Sequence, residues 1–273
     1  MTLIVLDILK SIALGTVEGF TEFLPISSTG HLILVNQFIS FDKSFTVLFD
    51  IVIQLGAILA VLIFFRKKLW PFTKDKNKNK ETLNIWYKTI VGVLPAIFFG
   101  ALLASFIERK LFNPWIVAVA LLVGGVVILF IENKERSVKT ISINDLSFKT
   151  AFLVGLVQCL SMIPGISRSA ATIIGGMIFG ASRVVATEFS FFLAIPTMFA
   201  ASMYSLLKHG TSLTMNQFLI LSVGFAVSFL VASVVIKFLI SYVQKNNFKI
   251  FGYYRIILGV IIILYFLVKS FLI

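Results

Sequence analysis

The sequence predicts an all-α integral membrane protein: six transmembrane helices plus two re-entrant helix–loop–helix hairpins, arranged as an inverted-topology repeat. Three observations predict it. Of 273 residues, 59% are hydrophobic and only 13% charged, against about 45–50% and about 25% in a soluble domain. Two apolar regions are broken in the middle by polar and helix-breaking residues. A constant offset of 140 residues superimposes the first broken region on the second. The composition excludes a soluble enzyme, a disordered chain and a nucleic-acid-binding module. The net charge of +12 is therefore read as a topology signal, from Lys and Arg kept on the cytoplasmic side. A single cysteine, Cys159, excludes an internal disulfide framework and a CxxC metal site.

Along the chain, residues 3–40 form the first hairpin, broken at Pro25-Ile26-Ser27-Ser28-Thr29-Gly30-His31. Asp7 and Lys10 interrupt its start, so no cleaved signal peptide is expected. Spans of about 20 apolar residues, enough to cross a bilayer, follow at roughly 45–65, 88–107 and 114–131. The second hairpin covers 150–181 and breaks at Pro164-Gly165-Ile166-Ser167-Arg168-Ser169. Three further spans lie at roughly 186–207, 216–240 and 251–271. Irregular backbone at membrane depth survives only where protein or water satisfies it, so both breaks are expected to line a cavity.

Charge sets the orientation. Arg66, Lys67, Lys68, Lys74, Lys76, Lys78, Lys80 and Lys88 crowd the loop 66–88. Lys134, Arg136, Lys139 and Lys149 follow in 132–149, and Lys237, Lys245, Lys249 and Arg255 in 237–255. These loops are placed inside. Both termini are then outside, the first hairpin enters from outside and the second from inside. The 140-residue offset puts Gly15, Val17 and Glu18 on Gly155, Val157 and Gln158, and Ser27-Ser28-Thr29 on Ser167-Arg168-Ser169. Each half is one hairpin and three spans, an odd number, so the second half is inverted. The chain is read as one membrane domain, 1–273, with halves of approximately 1–135 and 145–273.

Ionisable groups inside a membrane are costly and point to function. Glu18 and Glu22 lie one helical turn apart. Two carboxylates that close either leave one holding its proton or share a cation. Ser27, Ser28 and Thr29 taken singly are ordinary helix caps. With His31 three residues on and two carboxylates upstream, they supply a nucleophile, a base and orienting groups. In the second hairpin Arg168 stands between Ser167 and Ser169, with Thr172 one turn on. A planar guanidinium between hydroxyls at a helix start matches phosphate geometry. Pairing with a glutamate to join the hairpins is its bland reading. Inverted symmetry brings the two loops together, and the resulting site suits a phosphorylated substrate with an apolar tail. Asp50, Gln54 and Glu188 are weaker signals: Gln54 is expected to face the interior, and Glu188 to pair with Arg183. The stretch 74–80 is read as a solvated loop, Gly124-Gly125 and Gly175-Gly176 as helix-packing sites. His209 is assigned no role.

The string from Glu18 through Glu22 to His31 and the string Pro164-Gly-Ile-Ser-Arg-Ser-Ala-Ala-Thr172 resemble the two signature motifs of the undecaprenyl-diphosphatases, the bacitracin-resistance protein family of bacterial inner membranes. The resemblance runs nearly end to end, through Phe49-Asp50-Ile-Val-Ile-Gln54 and the stretch from Ser182-Arg183 to Phe192. It implies removal of the terminal phosphate of undecaprenyl diphosphate, which returns the monophosphate carrier to cell-wall synthesis. It also implies an active site open to the outer face and dependence on a divalent cation, Mg or Ca. Carried over by position, Glu18 and Glu22 would hold the cation. Ser28, His31, Glu22 and Arg168 would be catalytic, and Ser27, Thr29, Ser167, Ser169 and Thr172 would bind phosphate. Asp50, where the family leads one to expect glutamate, and Ile166, where an aromatic is common, depart from the pattern.

Other classes remain. Inverted repeats with broken helices are also transporter architecture, so a transporter or flippase of a lipid phosphate is the alternative. A phosphatidic-acid-type phosphatase needs His and Asp six and ten residues after its Ser-Arg; Phe189 and Leu193 follow Arg183 there, and Ile174 and Ile178 follow Arg168. Monomer and homodimer are both compatible with the sequence.

Overall fold

The computed structural model describes residues 2–209 and 213–272. Among the described residues eleven α-helices follow one another: α1 (Thr2–Thr21), α2 (Ser28–Val35), α3 (Lys43–Phe64), α4 (Arg66–Leu69), α5 (Lys76–Lys110), α6 (Pro114–Asn133), α7 (Phe148–Gln158), α8 (Arg168–Ile178), α9 (Arg183–His209), α10 (Met215–Val243) and α11 (Lys249–Leu272). Six of them, α3, α5, α6, α9, α10 and α11, are long and apolar enough to cross a membrane. α2 and α8, of 8 and 11 residues, are too short for that.

The boundaries reflect local chemistry. α5 starts at Lys76, well before the apolar run, because the Asp75 carboxylate caps it by accepting from the N–H groups of Asn77 and Lys78. Most of the expected loop 74–80 is thus the exposed first turns of a 35-residue helix. α6 starts at Pro114 behind an Asn113 cap, where a missing N–H costs nothing. α10 opens on a capping box between Thr214 and Gln217.

Helix starts keep the 140-residue spacing: Ser28 and Arg168, then Lys43 and Arg183. Packing interleaves the halves. α1 lies against α10, α7 against α5, and α6 against α11. Glycines allow the two hairpin helices to approach their partners at equivalent positions. A Cβ on Gly15 would come 2.7 Å from the Gly224 carbonyl oxygen, and one on Gly155 would collide with the Gly92 carbonyl oxygen. Helix association in lipid relies on such close backbone approach. Gly125 likewise meets the backbone of Gly252, and Gly176 meets Ala186.

Three expectations about charge are corrected. Arg183 pairs with Glu132, its Nε 2.9 Å from Oε1, while Glu188 accepts from Lys68 at 2.8 Å. Sequence proximity on one helix could not foresee partners on other helices. Lys88 is buried and donates to the Asn144 carbonyl at 2.7 Å. Arg255, counted above among the inner-loop charges, is fully buried. Neither belongs in a topology tally, which counts solvent-facing loops. The side chain of His209 lies outside the described residues.

Candidate active site

Each hairpin turns through a serine in a conformation that L-residues rarely adopt: Ser27 has φ 74° and Ser167 φ 72°. They are the only positive-φ residues other than glycine among those described, and they stand 140 positions apart. Each hydroxyl caps the helix that follows, Ser27 accepting from the Gly30 N–H and Ser167 from the Ala170 N–H. Strained serines cost about 1–3 kcal/mol each and persist where the surroundings over-determine them. The gain is position. Ser28 and Arg168 are the first residues of α2 and α8, beside helix N-termini whose unpaired N–H groups favour anions.

The two loops meet. Ser28 Oγ donates to Glu22 Oε2 at 2.6 Å, and Arg168 Nη2 donates to Glu22 Oε1 at 3.0 Å. The carboxylate at the end of α1 therefore joins the candidate nucleophile of one hairpin to the guanidinium of the other. A 2.6 Å O–H···O contact falls in the charge-assisted range. Arg168 Nη1 also donates to the Ser190 carbonyl at 3.0 Å, and the guanidinium lies 5.6 Å from the Phe23 ring centroid. Of five guanidinium N–H groups, two are thereby engaged, so the group that glues the hairpins retains donors for a ligand.

Glu22, Ser27, Ser28, Thr29, Gln54, Ser167 and Arg168 line a cavity of about 240 Å³. Ser161 and Thr197 add hydroxyls to it, and Met162, Met198 and Ala201 give it an apolar side. The other sequence-selected residues stand behind this wall. Ser169 donates to the Leu24 carbonyl at 2.8 Å, tying the second loop to the first. Thr172 meets the Ser190 hydroxyl at 2.6 Å. His31 directs Nδ1 at the Ser27 carbonyl, 2.8 Å away, and Nε2 at the Tyr254 hydroxyl, 2.6 Å away. A carbonyl only accepts, so Nδ1 bears the proton and Nε2 accepts from Tyr254 in the neutral ring. The Ser28 hydroxyl thus donates to Glu22, while both ring nitrogens of His31 are engaged by Ser27 and Tyr254.

Comparison with known proteins then decides the family. Residues 11–261 match the model of "Bacitracin resistance protein BacA". The chain belongs to this family. It is 50% identical over 268 residues to the undecaprenyl-diphosphatase of Lachnoclostridium phytofermentans, covering 96% of this chain and 98% of that protein. It is 48% identical over 269 residues to undecaprenyl-diphosphatase 1 of Clostridioides difficile, covering 97% and 98%. It is 48% identical over 272 residues to the undecaprenyl-diphosphatase of Enterococcus faecalis, covering 97% and 99%. Six membrane-spanning helices and this membership make the chain a multi-pass bacterial membrane protein.

The divalent cation expected of a BacA-family member can be tested against these side chains. Glu18 is fully buried, one turn below Glu22, and neither of its carboxylate oxygens has a hydrogen-bond partner. Two oxygens without partners beside a second carboxylate are hard donors that fit Mg or Ca. Among the described residues no group of three or more His, Cys, Asp or Glu side chains gathers to hold a metal. The chain thus offers two carboxylates, with water and phosphate oxygens left to complete the set, which is how Mg is usually bound. Asp50 accepts from Asn36 at 3.4 Å and is not on the cavity wall.

Sequence reasoning missed several members of this BacA-family site. Thr197, Tyr254 and Arg255 carry no motif and reach the loops only through helix packing; Ser190 was not singled out within its stretch, and Ser161 stands just before the second break. For Ser161 the repeat offset was a usable signal, since it falls opposite Thr21.

Proposed function

We propose that this protein is an undecaprenyl-diphosphate phosphatase, removing the terminal phosphate of undecaprenyl diphosphate to give undecaprenyl phosphate and inorganic phosphate. The observation that carries the mechanism is the Ser28–Glu22–Arg168 hydrogen-bonded chain at the junction of the two hairpins. The diphosphate enters a cradle of hydroxyls and two helix N-termini, while Met162, Met198 and Ala201 meet the first part of the prenyl chain. Arg168 binds the terminal phosphoryl oxygens and offsets the charge that grows on them in the transition state. Ser28 Oγ attacks the terminal phosphorus, its proton passes to Glu22, and as the bond to the bridging oxygen breaks Glu22 hands that proton to the departing undecaprenyl phosphate, which frees the carboxylate again. Water then attacks the phosphoserine with Glu22 as base, freeing phosphate and restoring the Ser28 hydroxyl. A divalent cation held by Glu18 and Glu22, when bound, would neutralise diphosphate charge. Ser27, Thr29 and Ser167 hold phosphate oxygens, and Ser169, Thr172 and His31 keep the two loops in place.

A site open to the outer face is what the family resemblance implies, and it suits a carrier lipid that must be recycled after use outside. The relatives' names give no support to the transporter reading. Phosphate release distinguishes the two classes, because no transport exists in detergent. Purified protein in detergent is expected to release one phosphate per undecaprenyl diphosphate, and a chelator is expected to lower the rate at least tenfold. Absence of phosphate release at any cation concentration would reject the phosphatase, and full activity in chelator would reject the cation.

A further inference from the structure

The largest fully buried side chain of the described residues is Arg255 of α11, a residue in neither signature motif. Its Nη1 donates to the Pro25 carbonyl at 3.4 Å, and its Nη2 donates to the carbonyls of Gly165 at 3.0 Å and Ala120 at 3.1 Å. Pro25 and Gly165 are equivalent under the 140-residue offset, and each precedes its strained serine by two residues. One guanidinium therefore holds the same point of both catalytic loops and ties both to α6. Its own counterpart under the offset, Trp115, is exposed, so the clamp is single and bridges the halves.

The surroundings are built for this side chain. A Cβ on Gly124 of α6 would overlap the guanidinium. Gly165 has φ +95°, and a Cβ there would sit 2.6 Å from the Val117 carbonyl oxygen, so the second loop is pressed onto α6 where Arg255 reaches it. No carboxylate pairs with Arg255 among the described residues; backbone carbonyls alone receive it. A buried cation without an ion pair is costly to retain, and membrane proteins keep such groups where they serve function. The preceding residue, Tyr254, binds His31 and stacks on it with ring centroids 5.5 Å apart, so one turn of α11 reaches the first loop on two sides. Arg255 is fully buried and stands behind the cavity wall, not on it.

We propose that Arg255 is a positioning residue: it registers the Ser28 loop against the Arg168 loop, so that nucleophile and phosphate-binding cation face one phosphorus atom. This rests on the phosphatase reading. Small misplacement of reacting groups costs about 10²-fold in rate, and a group that does not touch substrate leaves ground-state binding largely unchanged. The experiment measures phosphate release from undecaprenyl diphosphate by folded, detergent-purified wild type and Arg255→Ala. The expected result is a kcat lower by about 10²-fold with KM within about threefold. Ethylguanidinium restores at least about tenfold of it, and ethylamine restores none, because only the planar fork bridges both loops. Wild-type kcat, a loss carried in KM, or no rescue by ethylguanidinium would overturn the proposal. An inactive wild type would instead reject the phosphatase reading. Should Arg255→Ala not fold, Arg255→Lys replaces it, keeping charge but not the fork, and a kcat lower by at least about tenfold is expected. Wild-type kcat in that variant, or failure of both variants to fold, would assign Arg255 to stability alone.

Discussion

Glu22→Gln is expected to leave the protein folded and to lower phosphate release by about 10³-fold or more. Glu22 receives the Ser28 proton across 2.6 Å and holds Arg168 at 3.0 Å. Glutamine keeps the shape but cannot take the proton, a loss worth about 10² to 10⁴ in rate. It also removes the negative partner of Arg168, whose side chain is only 10% exposed. The guanidinium still finds the Ser190 carbonyl and an amide oxygen, so the cost in stability is about 1–3 kcal/mol. The check is steady-state kcat beside a thermal melt in the same detergent. A melt near wild type with a kcat near wild type would show that Glu22 is not the base.

Arg168→Ala has an effect of the same order for a different reason. Guanidinium groups that neutralise charge on a transferring phosphoryl group contribute about 10³ to 10⁵ in kcat. Here the same group, carried by the second hairpin, reaches Glu22 of the first on one side and the Ser190 carbonyl of α9 on the other. Losing it removes transition-state stabilisation and also weakens diphosphate binding, so kcat should fall by about 10³-fold and KM should rise. Arg168→Lys should recover little, because an ammonium cannot donate along both directions of the fork. The pattern separates the two residues: Glu22→Gln acts mainly on kcat, Arg168→Ala on both parameters. A variant at 168 with wild-type kcat and KM would remove the phosphate from this end of the cavity.

The six spans were legible because an apolar run of about 20 residues matches the thickness of a bilayer core, and the helices lie where those runs lie. The breaks at 25–31 and 164–169 were more informative than the runs. Both contain the strained serine, and Glu22, Ser28 and Arg168 meet there because each sits beside its break. What stayed hidden depends on which helices touch. Arg255 is 230 residues from Pro25 and 90 from Gly165, and the charge count placed it among the inner-loop charges because it follows the loop in sequence. Tyr254 and the Ser190 carbonyl are supplied in the same way, by α11 and α9. The motif also flattened a distinction that packing makes. Ser27, Thr29 and Ser167 reach the cavity, whereas Ser169 and Thr172 face carbonyls and hydroxyls behind it. Serine and threonine look alike in a string, and only burial separates a binding hydroxyl from a supporting one.

The central claim is that Ser28 is the nucleophile, and rapid quenching of a single turnover tests it most directly. Wild-type protein mixed with undecaprenyl diphosphate labelled on the terminal phosphorus, then quenched and digested, should yield a labelled peptide carrying phosphoserine at position 28. Ser28→Ala should yield no labelled peptide and no phosphate above background. Full phosphate release by Ser28→Ala, with no labelled peptide from the wild type, would contradict the account and assign the attack to a water held by Glu22.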